Sequence, residues 1–242
     1  MRETLETVPT KDGEMPAFVF HPEKEGQSWP TVLWLMDGPG IRQGLRDMAS
    51  RLATSGYCVL LPYAFYRNGP YREFSTSPQD VELRRSYIKT MSTEKALDDI
   101  EALLSYCKDL PASSDGPIGI VGYCMSGAWA IAAAREFSER VAAAASVHGG
   151  GLVTDEENSP HRNLEGIRAR LYVAWADNDH TAPAEGIPTF RAAVKEAGIS
   201  GEVEFMAGAL HGFAATTNPQ YDRTASERHW EQLHDLFGGL RS

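Results

Sequence analysis

The chain has 242 residues, 42% hydrophobic and 23% charged, which is typical of a globular protein with a sizeable buried core. Its formal net charge of −10 argues against a nucleic-acid partner, because phosphate groups are bound by basic surfaces. No apolar run approaches the roughly 20 residues of a membrane-spanning helix, and the polar segment 1–10 does not predict a signal peptide. Three cysteines are too few, and odd in number, for a disulfide framework, so we expect a cytoplasmic protein with free thiols and no membrane partner.

The predicted elements begin with a β-hairpin, in which residues 4–10 and 15–20 flank a turn at Asp12-Gly13. Strands are then predicted over residues 31–36, 57–61, 117–123, 141–147, 169–175 and 202–206, and helices over 41–55, 79–108 in one or two pieces, 127–137, 188–197 and 225–237. This alternation predicts an α/β fold with a mostly parallel central sheet, helices on both faces and an N-terminal antiparallel hairpin. No repeat or linker interrupts the chain, so we expect a single domain over residues 1–242.

The most informative segment runs from a predicted strand through Gly-Tyr-Cys-Met-Ser-Gly, residues 122–127, into an alanine-rich helix. A nucleophile elbow has this strand–turn–helix context, usually as Gly-x-Ser-x-Gly, with small residues where the backbones pass closely. Here Cys124 takes the central position, where the positive end of a helix dipole stabilises a thiolate. We therefore predict that Cys124 is a nucleophile, whereas Cys58 and Cys107 are buried, unreactive thiols.

A nucleophile needs a general base and the base needs an orienting carboxylate; in this fold class they follow in the order nucleophile, acid, histidine. The strand 169–175 is followed by two candidate acids, Asp177 and Asp179, and position alone leaves both open. The last strand leads into His211, which we predict to be the base. His148 ends a strand ahead of three glycines and is placed to line a pocket. Four other histidines are interpreted as surface or loop residues: His21, His161, His229 and His234.

Two backbone N–H groups are expected to stabilise an oxyanion at this site. One belongs to Met125, the residue after the nucleophile, and the other to Gly38 in the loop after the strand 31–36, since Pro39 has no N–H. The sequence has no His-x-x-x-His or Cys-x-x-Cys pair, so no metal or other cofactor is expected.

These motifs resemble the dienelactone hydrolase family, a branch of the α/β-hydrolases. The matching segments are Gly122-Tyr123-Cys124, Asp179-His180-Thr181-Ala182-Pro183 and His211-Gly212-Phe213, and their order and spacing agree along nearly the whole chain. The resemblance implies that a Cys124–His211–Asp179 triad hydrolyses a small-molecule ester or lactone. It also selects Asp179 over Asp177, because the family's acid stands in an Asp-His-x-x-Pro sequence.

Two positions depart from the lactone-cleaving members of that family. Their glutamate, which contacts the resting thiol, is replaced by Asp37, which is one methylene shorter and either reaches Cys124 or caps the loop. Of the two arginines that hold a substrate carboxylate in those members, Arg84 matches one, whereas the second position is Ala215. The position of Arg84 is equally consistent with a charged side chain that lies on the solvent-exposed face of a helix and has no role in binding. Since a charge-assisted hydrogen bond contributes about 1.5–3 kcal/mol, the loss of one arginine disfavours a carboxylate-bearing substrate.

Aromatic residues of the loop 63–78 either wall the pocket or pack the loop against the protein, and we include Tyr66 together with Tyr123 as candidates for substrate contact. The leading prediction is a hydrolase similar to dienelactone hydrolases. The alternatives are a carboxylesterase or thioesterase that acts on neutral substrates, and a non-catalytic ligand-binding protein on a hydrolase scaffold. The oligomeric state stays open.

Overall fold

The computed structural model describes residues 1–241, which form two compact units. The first is Met1–Gly116 and the second begins at Pro117. Each unit has strands, helices and its own set of buried apolar side chains. The single domain expected over residues 1–242 stays a prediction.

Four strands and three helices make up the first unit. The strands pair in the order β1-β2-β4-β3; they are β1 (Arg2–Thr10), β2 (Gly13–His21), β3 (Thr31–Leu35) and β4 (Cys58–Pro62). β2 is antiparallel to β1 and β4, whereas β3 and β4 are parallel. The hairpin turn has Gly13 at a φ of 134°, which glycine adopts without steric cost. The helices are α1 (Gln43–Thr54), α2 (Pro78–Ile88) and α3 (Thr93–Asp109).

The second unit has four parallel strands and three α-helices. They pair in chain order and are β5 (Ile118–Tyr123), β6 (Val141–Val147), β7 (Arg170–Ala176) and β8 (Gly201–Met206). The helices are α4 (Gly127–Glu136), α5 (Gly186–Glu196) and α6 (Arg223–Gly238). β5 is buried throughout and β6 and β7 each expose a single residue, which explains their near-continuous apolar sequences.

The predicted α/β class and the N-terminal antiparallel hairpin are confirmed, and the ends of the strands and helices lie within two residues of the predicted ones. The helical pattern over 79–108 is two helices. Ser92 begins the second, since its hydroxyl accepts the backbone N–H of Lys95 at 3.2 Å and caps the helix. Among residues 1–241, no helix has the length and apolar character needed to cross a bilayer.

The loops after the strands of the second unit carry the residues that the sequence singled out. Cys124 follows β5, His148 follows β6, Asp177 and Asp179 follow β7, and His211 lies in the loop after β8. Because parallel strands end at the same edge of a sheet, these side chains converge there, where open α/β sheets bind their ligands.

Candidate active site

Cys124 lies in a strained turn between β5 and α4. Its φ of 56° is left-handed, which few residues with a side chain adopt, and it opens the short 3-10 turn Cys124–Ser126. Glycine is required at Gly122, because a Cβ there would lie 2.0 Å from the carbonyl oxygen of Ser126. The Ser126 hydroxyl accepts the N–H of Tyr123 at 2.8 Å and donates to its carbonyl at 3.0 Å, which ties the turn together. This geometry is that of a nucleophile elbow.

The imidazole of His211 contacts both a carboxylate and the thiol of Cys124. Its Nδ1 lies 2.5 Å from Oδ2 of Asp179, and the ring also hydrogen-bonds to the Cys124 side chain. A carboxylate accepts hydrogen bonds, so Nδ1 of His211 carries a proton, and the other ring nitrogen is the one available to hydrogen-bond to the sulfur. The structure therefore brings together the side chains of Cys124, His211 and Asp179.

The two aspartates after β7 have different partners. Oδ1 of the buried Asp179 accepts the backbone N–H of Thr181 at 2.8 Å and its hydroxyl at 2.7 Å, which leaves Oδ2 for His211. Asp177 instead accepts the N–H of Gly208 at 2.9 Å and that of Asn178 at 2.8 Å. Asp177 thus joins the loops after β7 and β8, and Asp179 is the aspartate that contacts the histidine.

Electrostatics favour a charged imidazole at this position. Burial lowers the pKa of His211, but the hydrogen bonds to Asp179 and Cys124, and the attraction of their charges, outweigh burial and raise the pKa to about 10. Burial alone would raise the pKa of Asp179, yet its bonds to His211 and Thr181 bring that pKa below its usual range. A protonated imidazole beside a sulfur stabilises the thiolate. Burial raises the pKa of the Cys58 thiol to about 12.

Asp37 and Gly38 lie in the loop after β3 of the first unit. Both oxygens of the buried Asp37 carboxylate accept from the guanidinium of Arg42, at 2.7 and 2.9 Å. Arg42 also donates to the Gly40 carbonyl at 3.0 Å, and the Gly40 N–H closes the turn on the Asp37 carbonyl at 3.0 Å. The ion pair therefore caps the loop that contains Gly38. A Cβ on Gly38 would meet the side chain of Ile88, at the end of α2, at 3.2 Å.

Two other candidates also belong to the first unit. Arg84 is half-buried on α2, and its Nε is buried without a hydrogen-bond partner in the described part of the chain. The Tyr66 hydroxyl lies 2.8 Å from Oδ1 of Asp99 and 2.8 Å from the hydroxyl of Thr10, so it is engaged by protein groups. Of these two side chains, Arg84 is the one with a donor atom that has no protein partner among the described residues.

His229 is buried on α6, so its interpretation as a surface residue is wrong. It is 0% exposed, and it shares the buried face of the helix with Ser226, Trp230 and Leu233 at helical spacing. Its Nδ1 donates to the carbonyl of Ser226, so Nε2 accepts from the hydroxyl of Tyr123 at 3.4 Å. The Tyr123 side chain is therefore part of the interior beneath the elbow.

Sequence reasoning missed the groups that hold the two buried aspartates in place. Thr181 had a local signal, because a hydroxyl two residues after an aspartate commonly bonds to it within a turn. Arg42 had none, since no short-range pattern predicts that it folds back on Asp37. Within residues 1–241 no group of three or more His, Cys, Asp or Glu side chains is arranged to hold a metal ion.

The strand order, the alternating helices and the cysteine elbow define the chain as an α/β-hydrolase. A sequence profile of the dienelactone hydrolase family matches residues 15–240, so the chain belongs to that family.

Similar proteins agree with this assignment over nearly the full length. A Synechocystis sp. protein that carries the name "Putative carboxymethylenebutenolidase" is 25% identical over 240 residues, which cover 98% of this chain and 96% of that protein. The carboxymethylenebutenolidase of Pseudomonas putida is 26% identical over 219 residues, or 88% and 87% of the two chains. The crystal structure of a Klebsiella pneumoniae protein described as "Putative Dienelactone Hydrolase" has a TM-score of 0.86 at 21% identity, and the match covers 98% of both chains. The family match makes the protein a hydrolase, and the structural likeness shows the shared fold.

Proposed function

We propose that this protein hydrolyses the ester or lactone bond of a small molecule by covalent catalysis, with Cys124 as nucleophile, His211 as acid and base, and Asp179 as the group that orients His211. The observation that carries the proposal is the His211 imidazole, which is 2.5 Å from Asp179 and hydrogen-bonded to the Cys124 thiol. Such a constellation is the geometric signature of an activated nucleophile.

In the first step the Cys124 thiolate attacks the carbonyl carbon, and the carbonyl oxygen becomes an oxyanion. The backbone N–H of Met125, the residue after the nucleophile, stabilises this oxyanion, and the N–H of Gly38 stays the second donor expected from the sequence. Collapse of the intermediate breaks the carbon–oxygen bond, and the departing alkoxide takes the proton of His211. The product of this step is a thioester on Cys124; with a lactone, the alcohol stays attached to the acyl group.

Acylation changes the charge that His211 faces, which prepares the second step. The hydrogen bond and the charge of Cys124 help to hold the pKa of His211 near 10, and both are lost when the sulfur becomes a thioester. Neutral His211 then accepts a proton from water as the water attacks the thioester. The second intermediate expels the Cys124 thiolate and releases the acid, and His211 keeps the proton for the next cycle.

The number of arginine side chains available to bind a substrate carboxylate bears on the substrate class. We infer that Arg84, with its unpartnered buried Nε, binds a polar or anionic substituent of the substrate. The second arginine that the family resemblance implies would stand at the position of Ala215, which is buried and offers no donor. A site with a single arginine has less preference for carboxylate-bearing lactones and accepts neutral esters or thioesters better. Neutral esters are therefore the second candidate class.

Mutation of Cys124 tests the reaction. The full chain and Cys124→Ala are assayed with a nitrophenyl ester, a thioester, and lactones with and without a carboxylate. We expect hydrolysis by the wild type and a loss of at least about 100-fold in Cys124→Ala; equal rates in the two proteins would refute the nucleophile. A substrate incubated with Asp179→Asn should also accumulate as an acyl adduct of Cys124, seen by mass spectrometry of the intact protein.

The same panel separates the substrate classes. Arg84→Ala should raise KM for the carboxylate-bearing lactone several-fold and leave KM for the neutral ester unchanged. An equal change for both would remove Arg84 from substrate binding. If no compound is hydrolysed but several bind, the protein is a ligand-binding protein on a hydrolase scaffold.

A further inference from the structure

The loop His148–Gly151, here called the β6 loop, contacts the surroundings of all three proposed catalytic residues. The N–H of Gly150 donates to the carbonyl of Cys124 at 3.1 Å, and that of Gly151 donates to the carbonyl of Thr181 at 2.8 Å. Thr181 in turn holds Asp179 through two hydrogen bonds. The remaining residue, His211, is contacted by the ring of His148, with 5.0 Å between the ring centroids.

The backbone of His148 is unusual and fixes the direction of its side chain. Its φ of 41° is left-handed, a region in which histidine and asparagine are enriched among residues with a side chain. The N–H of His148 donates to the carbonyl of Ala174 in β7 at 2.8 Å, which anchors the turn. The ring is 2% exposed and packs between His211, Phe213 at 5.3 Å and Tyr123 at 5.8 Å.

The surroundings of His148 keep it neutral beside a charged imidazole. The titratable groups that face it are His211 from the loop after β8, Asp179 from the loop after β7, His229 from α6 and Tyr123 from β5. Burial, reinforced by repulsion from the two histidines, lowers the pKa of His148 well below its ordinary value. A neutral ring can pack closely against protonated His211, whereas a second imidazolium would repel it.

We propose that His148 is a positioning residue, whose ring covers one side of the His211 imidazole and holds it in line with Cys124 and Asp179. This positioning role of His148 rests on the proposed function but concerns only how the His211 base is aligned. It requires an aromatic ring at position 148 that packs against the His211 imidazole. Nδ1 of His148 has no hydrogen-bond partner among residues 1–241, so no bond from this nitrogen sets the position of His211.

Two substitutions in the full chain separate packing from backbone geometry. His148→Asn keeps a residue that accepts a positive φ but removes the ring from His211. We expect its kcat to fall about 10-fold or more with KM within about twofold, because alignment of the base affects the chemical step and not substrate binding. His148→Phe restores a ring and should recover kcat to within about threefold. Wild-type kcat in His148→Asn would overturn the proposal, and so would a folded His148→Phe as slow as His148→Asn.

Alkylation of Cys124 gives a readout that does not depend on the substrate. Iodoacetamide should react with Cys124 alone, since Cys58 and Cys107 are buried, and Cys124→Ser is the control for that selectivity. We expect alkylation of His148→Asn to be several-fold slower than that of the wild type, because the charged His211 imidazole beside the sulfur is misaligned. Equal alkylation rates across pH would overturn the role of His148 even if the protein hydrolysed none of the esters. A Cys124→Ala variant with full ester activity would instead refute the proposed function alone.

Discussion

Both carboxylate oxygens of Asp37 are bound by the guanidinium of Arg42, at 2.7 and 2.9 Å, with side-chain exposures of 4% and 16%. This two-point pairing has a fixed geometry and commits both oxygens of Asp37 to Arg42. In the proposed reaction the proton of Cys124 therefore goes to His211, which already hydrogen-bonds to the sulfur. Asp37 supports the loop that contains Gly38.

Arg42→Ala should lower the free energy of unfolding by about 3 kcal/mol, because it leaves a buried carboxylate without its charged partner. Urea unfolding followed by circular dichroism measures the change. Arg46→Ala is the matched control, since Arg46 pairs with Glu3 at 26% and 37% side-chain exposure. A partly exposed ion pair contributes about 1 kcal/mol or less. Equal losses in the two variants would show that Asp37 does not depend on Arg42.

Asp179→Asn should lower kcat by about 100-fold or more, because the neutral amide no longer fixes the tautomer of His211 or stabilises its charge. Asp177→Asn should stay within about threefold of the wild type, since Asp177 bonds to the backbone of Gly208 and Asn178 and not to the histidine. Steady-state kinetics on the best ester of the panel decides between them. A larger loss in Asp177→Asn would exchange the two assignments.

Cys124→Ala should lower the pKa of His211 from its value of about 10, since the Cys124 side chain raises that pKa both by hydrogen bonding and by charge. The shift is measured by NMR titration of the imidazole Cε1–H signal, which is assigned by its loss in His211→Asn. Asp177→Asn should titrate like the wild type. An unchanged pKa in Cys124→Ala would remove the electrostatic basis for the change of role that His211 undergoes on acylation.

The sequence was sufficient for the fold class and for the arrangement around Cys124, and the physical reason is that both are local. Runs of apolar residues indicate strands that are buried on both faces. Small residues indicate the close backbone approach at Gly122, where a Cβ would lie 2.0 Å from the carbonyl oxygen of Ser126. The position of His211 was also predictable, since the chain order of elements fixes which loop ends at the site.

Other features depend on contacts between distant residues, which a local pattern does not contain. His229 looked like one polar residue among many in a charged segment, but its side chain is buried against Tyr123, which is 106 positions away in sequence. The packing of His148 against His211 is likewise set by the alignment of β6 with its neighbours. Position and spacing identified the loops, and tertiary packing decided which side chains meet.

The stability that His211 contributes should be largest in mildly acidic solution and disappear in alkali. Its pKa is 6.5 in an unperturbed setting and about 10 in the folded chain. A group whose pKa is raised by folding contributes its full stabilisation at any pH below its unfolded-state pKa. This contribution is lost as the pH rises through the folded-state pKa of about 10. The difference in unfolding free energy between wild type and His211→Asn should therefore shrink between about pH 6 and pH 10. The lowered pKa of Asp179 acts in the opposite sense, and its contribution is lost only as pH falls below the usual 3.8. A difference that stays constant with pH would contradict the raised pKa.

Gly122→Ala should destabilise the protein by about 3 kcal/mol or more and abolish activity, because the added methyl would meet backbone that has no room to move. The nearest atom is the Ser126 carbonyl oxygen at 2.0 Å, and displacing it breaks the turn that holds Cys124. Gly116→Ala is the control, since its Cβ would meet only the Ser114 hydroxyl at 3.7 Å. Thermal unfolding and ester hydrolysis are measured for both variants. A stable, active Gly122→Ala would mean that the elbow tolerates a different backbone, and the position of the sulfur would then not depend on this close approach.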